Sequence, residues 1–139
     1  MKILACLDLS SQARPVLEKT LEIASLQKQK AEVLLYSVAE DMIDFGEGIA
    51  LNLSDQIRQQ AQKNLSEAAR EAEKRGIAAR TVLDSGSSPA DSILTFAENE
   101  GVDLIVVGSR AKTGLDRFLI GSVASKVVAH SKCSVLVLR

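Results

Sequence analysis

Tryptophan is absent from this chain of 139 residues, and one tyrosine and three phenylalanines are its only aromatic side chains. Its core must therefore be aliphatic, made of Val, Ile, Leu and Ala. Histidine occurs once, at His130, which leaves too few ligands for a structural zinc site. The two cysteines, Cys6 and Cys133, show no C-x-x-C spacing and no nearby pair of His or Cys residues. Both lie in apolar, strand-like contexts and read as buried, reduced thiols, with the cytoplasm as the default compartment. No charge of either sign is in excess: 17 Lys and Arg face 18 Asp and Glu, a formal net charge of -1. Without a basic surplus nothing points to nucleic acid, and without a basic amphipathic stretch nothing points to a membrane surface. No apolar run approaches the roughly 18 residues needed to cross a bilayer. The apolar start Met1–Leu7 is cut by Asp8 before a signal-peptide core could form, so it reads as a strand. With 46% hydrophobic and 25% charged residues, and no linker, repeat or low-complexity segment, residues 1–139 read as one globular domain.

Apolar runs alternate with helical periodicities along the chain. Ile3–Leu7 is a short continuous run, as a strand buried on both faces requires. Ser10 and Ser11 offer caps to a helix whose stripe is Ala13, Val16, Leu17, Thr20, Ile23 and Ala24, with Pro15 in the tolerant first turn. Val33–Val38 is the second strand. Residues 40–51 read as a loop, followed by a long helix with Leu53, Ile57, Ala61, Leu65, Ala68 and Ala72 on one face. Lys74-Arg75-Gly76 stops it. Ile77–Leu83 is a third, more polar strand, suited to the sheet edge. Ser88-Pro89 starts a helix with Ala90, Ile93, Leu94 and Ala97 inward, closed by Gly101. Leu104–Val107 is strand four. A loop with a short helical piece spans Gly108–Gly121. Ser122 caps a last helix with Val123, Ala124, Val127 and Val128 inward, and Ser134–Leu138 is the final strand. This β-α-β-α-β-α-β-α-β order predicts an α/β fold: an open five-stranded parallel sheet with helices on both faces.

Open parallel sheets bind ligands beyond the carboxyl ends of their strands, where strand order reverses. Asp8 closes strand one. Gly108-Ser109-Arg110-Ala111-Lys112-Thr113-Gly114 follows strand four, and Gly121-Ser122 opens the last helix. A helix start carries unpaired N–H groups and about half a positive charge. Glycine lets the backbone approach a phosphate, and the Ser122 hydroxyl adds a donor. Arg110, Lys112 and Arg117 bring positive charge. Spacing alone leaves two readings open: a cradle for a triphosphate, or a plain turn at Gly108 and an ordinary cap at Gly121-Ser122.

The run Val106–Leu115, continuing to Gly121-Ser122-Val123-Ala124, resembles the universal stress protein family, as do the ending Ser134–Leu138, Asp8 after strand one, and Gly86 before Pro89. The resemblance covers essentially the whole chain. It implies a Rossmann-like fold of the adenine nucleotide alpha hydrolase type. In the ATP-binding branch the loop reads G-x-x-G-x9-G-[ST]. Gly108 matches the first glycine, Lys112–Ile120 the nine-residue spacer, and Gly121-Ser122 the last two positions. Ala111 replaces the second glycine. Where that position needs φ > 0, the extra methyl costs about 1 kcal/mol; where it needs only a small side chain, the cost is slight.

The resemblance implies ATP as ligand, helped by Mg2+. Asp8 and the backbone at Leu7 would lie at the nucleoside, and the Val38 backbone at the adenine. Gly108, Ala111, Gly121 and Ser122 would surround ribose and phosphates, with Arg110, Lys112 and Val123 beside them. It also implies a homodimer paired antiparallel through the last strand, Val135–Leu138, and a sensor or regulator of the stress response. No residue stands out as a base for attacking water, so slow hydrolysis or none is expected. An adenylate-transferring enzyme would need a second motif, such as paired histidines after strand one, which the chain does not have. The alternative is a nucleotide-free homodimeric module acting through protein partners, with Ala111 in its favour.

Other constellations carry less. His130 has no Ser or Cys partner and reads as a favourable charge at a helix end. Asp84-Ser85-Gly86-Ser87-Ser88 reads as a strand–helix turn. Asp41, Asp44 and Glu47 lack an EF-hand's length and read as a solvated loop. Met42, Phe45 and Ile49 fit equally an adenine cover, a dimer contact or ordinary packing.

Overall fold

The computed structural model describes residues 1–40, 49–109 and 120–139, with side chains in the second stretch from residue 53 onward. The elements follow the expected order: β1 (Lys2–Cys6), α1 (Ala13–Ser25), β2 (Glu32–Glu40), α2 (Ile49–Lys74), β3 (Ala79–Gly86), α3 (Pro89–Glu100), β4 (Leu104–Gly108), α4 (Ser122–His130) and β5 (Ser134–Leu138). The strands form one sheet in the order β3-β2-β1-β4-β5, and every pairing is parallel. Parallel neighbours need a crossover, and each helix supplies one.

Alternate residues of each strand feed two separate cores. On one face Ile3, Ala5, Val33, Leu35 and Val106 pack against Val16, Leu17 and Leu21 of α1 and Leu65, Ala68 and Ala72 of α2. On the other Leu4, Leu34, Tyr36, Ile105 and Val107 meet Ala90, Ile93 and Ala97 of α3 and Ala124 and Val127 of α4. The central strands are buried on both faces, which is why they read as unbroken apolar runs. β3 lies at the sheet edge, as its polarity suggested, and β5 forms the opposite edge. No helix among the described residues is long and apolar enough to cross a membrane.

Several expectations need correction. Leu7 lies just past β1, though it is buried. The second strand runs on to Glu40, and residues 49–51, expected in the loop, already belong to α2. Asp84-Ser85-Gly86 is strand, not turn: the three pair with Val38, Ala39 and Glu40. An eight-residue ladder to β2 outweighs local turn preferences, leaving only Ser87 and Ser88 as connection. Gln12, not Ser10 or Ser11, is the cap residue of α1, and its side chain makes no capping bond. The Ser10 carbonyl and hydroxyl instead accept from the amides of Ala13 and Gln12. Val128 is 48% exposed, because a nine-residue helix on a sheet edge buries only the pair Ala124 and Val127. Cys6 and Cys133 are half-buried free thiols rather than fully buried ones. Residues 41–48, with Asp41, Met42, Asp44, Phe45 and Glu47, lie outside the described residues, as do the side chain of Ile49 and the expected helical piece within 110–119.

α2 buries its expected stripe only from Ala61 onward; Leu53 is exposed and Ile57 half-exposed. The reason is length. Its 26 residues rise about 39 Å at about 1.5 Å each. The nine residues of β2, at about 3.3 Å each, reach about 30 Å. A helix returning across the sheet therefore overhangs, and its first turns project past the carboxyl ends of the strands. Gly76, at φ +68°, and Gly101, at φ +66°, end α2 and α3 in the left-handed conformation.

Leu21 is fully buried where α1 meets the sheet. Leu21→Ala is expected to lower the unfolding free energy by about 2–5 kcal/mol, seen as a lower denaturant midpoint at unchanged slope. An unshifted midpoint would mean that α1 is not seated on β1 and β2.

Candidate functional site

β1 and β4 are neighbours, yet α1 leaves β1 toward one face of the sheet while α4 reaches β5 across the other. Divergence of this kind opens a crevice at the carboxyl ends of the strands. It is present here, with a volume of about 300 Å³, at the lower end of the range for small-molecule sites, about 300–1,000 Å³. β1 and its exit contribute Cys6, Leu7 and Asp8; β2 contributes Tyr36, Val38 and Glu40; β4 contributes Val107 and Gly108. The start of α3 adds Pro89 and Ile93, and the start of α4 adds Gly121, Ser122, Val123 and Ala124. The crevice thus brings together Leu7, Asp8, Val38, Gly108, Gly121, Ser122 and Val123. Arg110, Ala111, Lys112 and Arg117 lie outside the described residues.

The start of α4 is built differently from its sequence reading. Ser122 is the first helical residue, and Gly121 is the cap residue, at φ -56° and ψ 159°, with no side-chain capping bond. Any residue could adopt that φ, so conformation does not demand glycine here. With no side chain, Gly121 cannot cap the first N–H groups of α4, and Gly121, Ser122 and Val123 line the crevice. By contrast, α3 is capped in the usual way: the Ser88 hydroxyl accepts from the Asp91 amide at 3.4 Å. An uncapped helix start lining a cavity is the arrangement that accepts an anion.

Asp8 works first on the protein itself. Its Oδ1 accepts from the Ser10 amide at 2.9 Å and the Ser10 hydroxyl at 2.5 Å, which fixes the turn out of β1. The Leu7 amide donates to the Tyr36 carbonyl at 2.8 Å, so the β1–β2 ladder runs to the lip of the crevice.

Gly108 meets Gln12 from behind the sheet. A Cβ at position 108 would lie 2.8 Å from the Gln12 Cβ, closer than packing tolerates. The first glycine of the loop motif is thus required by the seat of α1 on β4, whatever enters the crevice. Ser109, next in line, is buried, and its amide donates to the Leu138 carbonyl at 2.7 Å.

The residues that sequence reasoning missed are the apolar walls. Tyr36 has a buried ring stacked on Phe96, with centroids 4.6 Å apart. Its hydroxyl donates to Asp84 Oδ2 at 2.7 Å. Burial, reinforced by that carboxylate, pushes its ionisation well above the ordinary tyrosine range. Burial first, and then the charge of Asp8, push the Cys6 thiol upward, so the crevice floor carries a neutral thiol and not a nucleophile. Strand alternation was the available signal. Tyr36, Val38 and Glu40 are two apart and must share a face, and so must Leu4 and Cys6. His130 is exposed in the last turn of α4, away from the crevice. Among the described residues no group of three His, Cys, Asp or Glu side chains could hold a metal ion.

The universal stress protein family model matches residues 1–139. Universal stress protein YxiE of Bacillus subtilis is 30% identical over 99% of this chain and 98% of its own length. Some matches are partial: universal stress protein MJ0531 of Methanocaldococcus jannaschii is 39% identical over 63% of this chain, and the alignment spans about half, 51%, of that relative. Among solved structures, protein MJ0577 superposes with a TM-score of 0.86 at 30% identity, over 99% of this chain and 94% of that one. An Arabidopsis thaliana universal stress protein family member with AMP bound superposes with a TM-score of 0.73 at 20% identity, over 99% and 90% of the two chains.

If Gly108 is fixed by packing, Gly108→Ala should destabilise the protein by about 1–3 kcal/mol. Most of that loss should vanish when Gln12→Gly is present, in a double-mutant cycle read by denaturant unfolding. Additive losses would show that the Gln12 contact is not what excludes a side chain.

Proposed function

The chain belongs to the universal stress protein family, and from that premise we propose that its crevice binds an adenine nucleotide, ATP above all, and that binding makes it a sensor or regulator of the stress response. The observation that carries the reading is the uncapped start of α4, whose side-chain-free Gly121 lines the same crevice as Asp8 and Val38. Phosphate oxygens belong at the amides of Gly121, Ser122 and Val123, where the helix dipole favours negative charge. Arg110, Ala111 and Lys112 follow β4 in sequence and complete the loop motif. The nucleoside belongs toward Leu7 and Asp8, with the base against Val38. A structural neighbour with AMP bound supports an adenine nucleotide as the ligand.

The donor set suits the ligand. The described walls are apolar along Tyr36, Val38, Pro89 and Ile93 and polar at the α4 start, as suits a flat base joined to phosphates. Mg2+ would arrive with the phosphates and share their oxygens, since that ion rarely needs more than one or two protein carboxylates. The reading is of a binding protein with slow turnover or none. A homodimer through β5 fits the same picture. Val135–Leu138 are half-buried on an edge strand that only β4 pairs among the described residues, and an exposed apolar edge invites an antiparallel copy. The free thiols fit a cytoplasmic setting.

A second reading, a nucleotide-free dimer acting through protein partners, has Ala111 in its favour. The two separate cleanly. Freshly purified protein, denatured and chromatographed, should release an adenine nucleotide. Emptied protein should give calorimetric heat and a higher melting temperature at millimolar ATP. No released nucleotide, no heat and no shift would reject the first reading. If Ala111→Gly then created binding that the natural chain does not have, the second would stand.

A further inference from the structure

We propose that Glu40 selects the base in this crevice by accepting a hydrogen bond from the exocyclic amino group at the six position, which makes it a specificity residue for adenine over hypoxanthine; the inference rests on the nucleotide reading above.

The crevice is chemically polarised. Its N–H donors lie at the start of α4, and its only carboxylates among the described lining residues are Asp8 and Glu40. Asp8 is engaged in the turn with Ser10. Glu40 has no hydrogen-bond or ion-pair partner among the described residues. It ends β2 two residues beyond Val38, so its side chain leaves the strand on the same face as Val38 and Tyr36. All three line the crevice.

Its described neighbours leave that carboxylate to a ligand or to water. The register partner of Glu40 on β3 is Gly86, which has no side chain to offer. A Cβ at Gly86 would lie 2.8 Å from the Ser92 hydroxyl oxygen, which would have to turn away. At the adjoining start of α3, Pro89 has no N–H, and the Asp91 amide is given to Ser88. An ionised carboxylate only accepts hydrogen bonds. A ligand whose far end donates two N–H groups fits it, and one that presents a carbonyl there brings two acceptors together. Adenine has the donor at its six position; hypoxanthine has the carbonyl. Sites that bind a substrate N–H reject analogues without it, because the protein group is then left unpaired.

Calorimetric titration of AMP and IMP into the emptied natural protein, Glu40→Gln and Glu40→Ala tests this. The natural protein should prefer AMP by about tenfold or more. Both variants should melt within a degree or two of it, as changes at an exposed residue usually do, and should narrow the preference to within about threefold. Glu40→Gln should gain affinity for IMP, because its amide can donate to the carbonyl. A folded variant that keeps the natural AMP-to-IMP ratio overturns the role of Glu40 and leaves the nucleotide reading intact. Equal affinity of the natural protein for the two nucleotides does the same. Binding of neither AMP nor IMP, nor of ATP, overturns both.

Discussion

The parallel pairing of β1 with β4 is the constraint on which the rest of the structure depends. Three register pairs join them, Ile3 with Leu104, Leu4 with Ile105 and Ala5 with Val106, and all but Leu104 of these side chains are fully buried. The chain builds outward from β1 to β2 and β3, then returns to the other side of β1 for β4 and β5. That reversal sends α1 and α4 to opposite faces and opens a crevice at the carboxyl ends of the strands. Divergence of the helices makes the crevice, and the crevice gives the start of α4 something to face. Gly108 lies at the tightest point, because α1 can seat against β4 only where there is no side chain to meet Gln12.

The electrostatics follow from this geometry. A helix whose cap residue has no side chain leaves its first amides open, and those of α4 look into the crevice. The β2 side carries the Glu40 carboxylate and no cation among the described lining residues. The start of α4 and the Glu40 carboxylate thus line one crevice together with Tyr36, Val38 and Ile93. The nucleotide proposed above is negative at one end and carries N–H donors at the other.

Much of this could be read in the chain. The aliphatic runs Ile3–Leu7 and Leu104–Val107 could only be strands covered on both faces, and the glycine-bearing turn after the second of them pointed to the switch point. What stayed hidden had physical reasons. The turn-like string Asp84-Ser85-Gly86 was drawn into β3 because an eight-residue ladder to β2 is a tertiary effect that no local propensity reports. Ser122 read as a cap because serine usually is one, whereas Gly121 holds that position and leaves it open. The overhang of α2 depends on comparing a helix with a strand in length. The second role of Gly108, as a contact for Gln12, links residues 96 positions apart. Glu40 was invisible as a site residue because its significance depends on the empty register position opposite it, at Gly86.

The most direct measurement of the central claim is a nitrogen–proton correlation spectrum of labelled protein titrated with ATP. The largest shifts should fall on the amides of Gly121, Ser122 and Val123, with smaller ones at Leu7, Asp8 and Val38. Shifts confined to the opposite end of the sheet, around Gly101 and His130, or no shifts at saturating nucleotide, would contradict it.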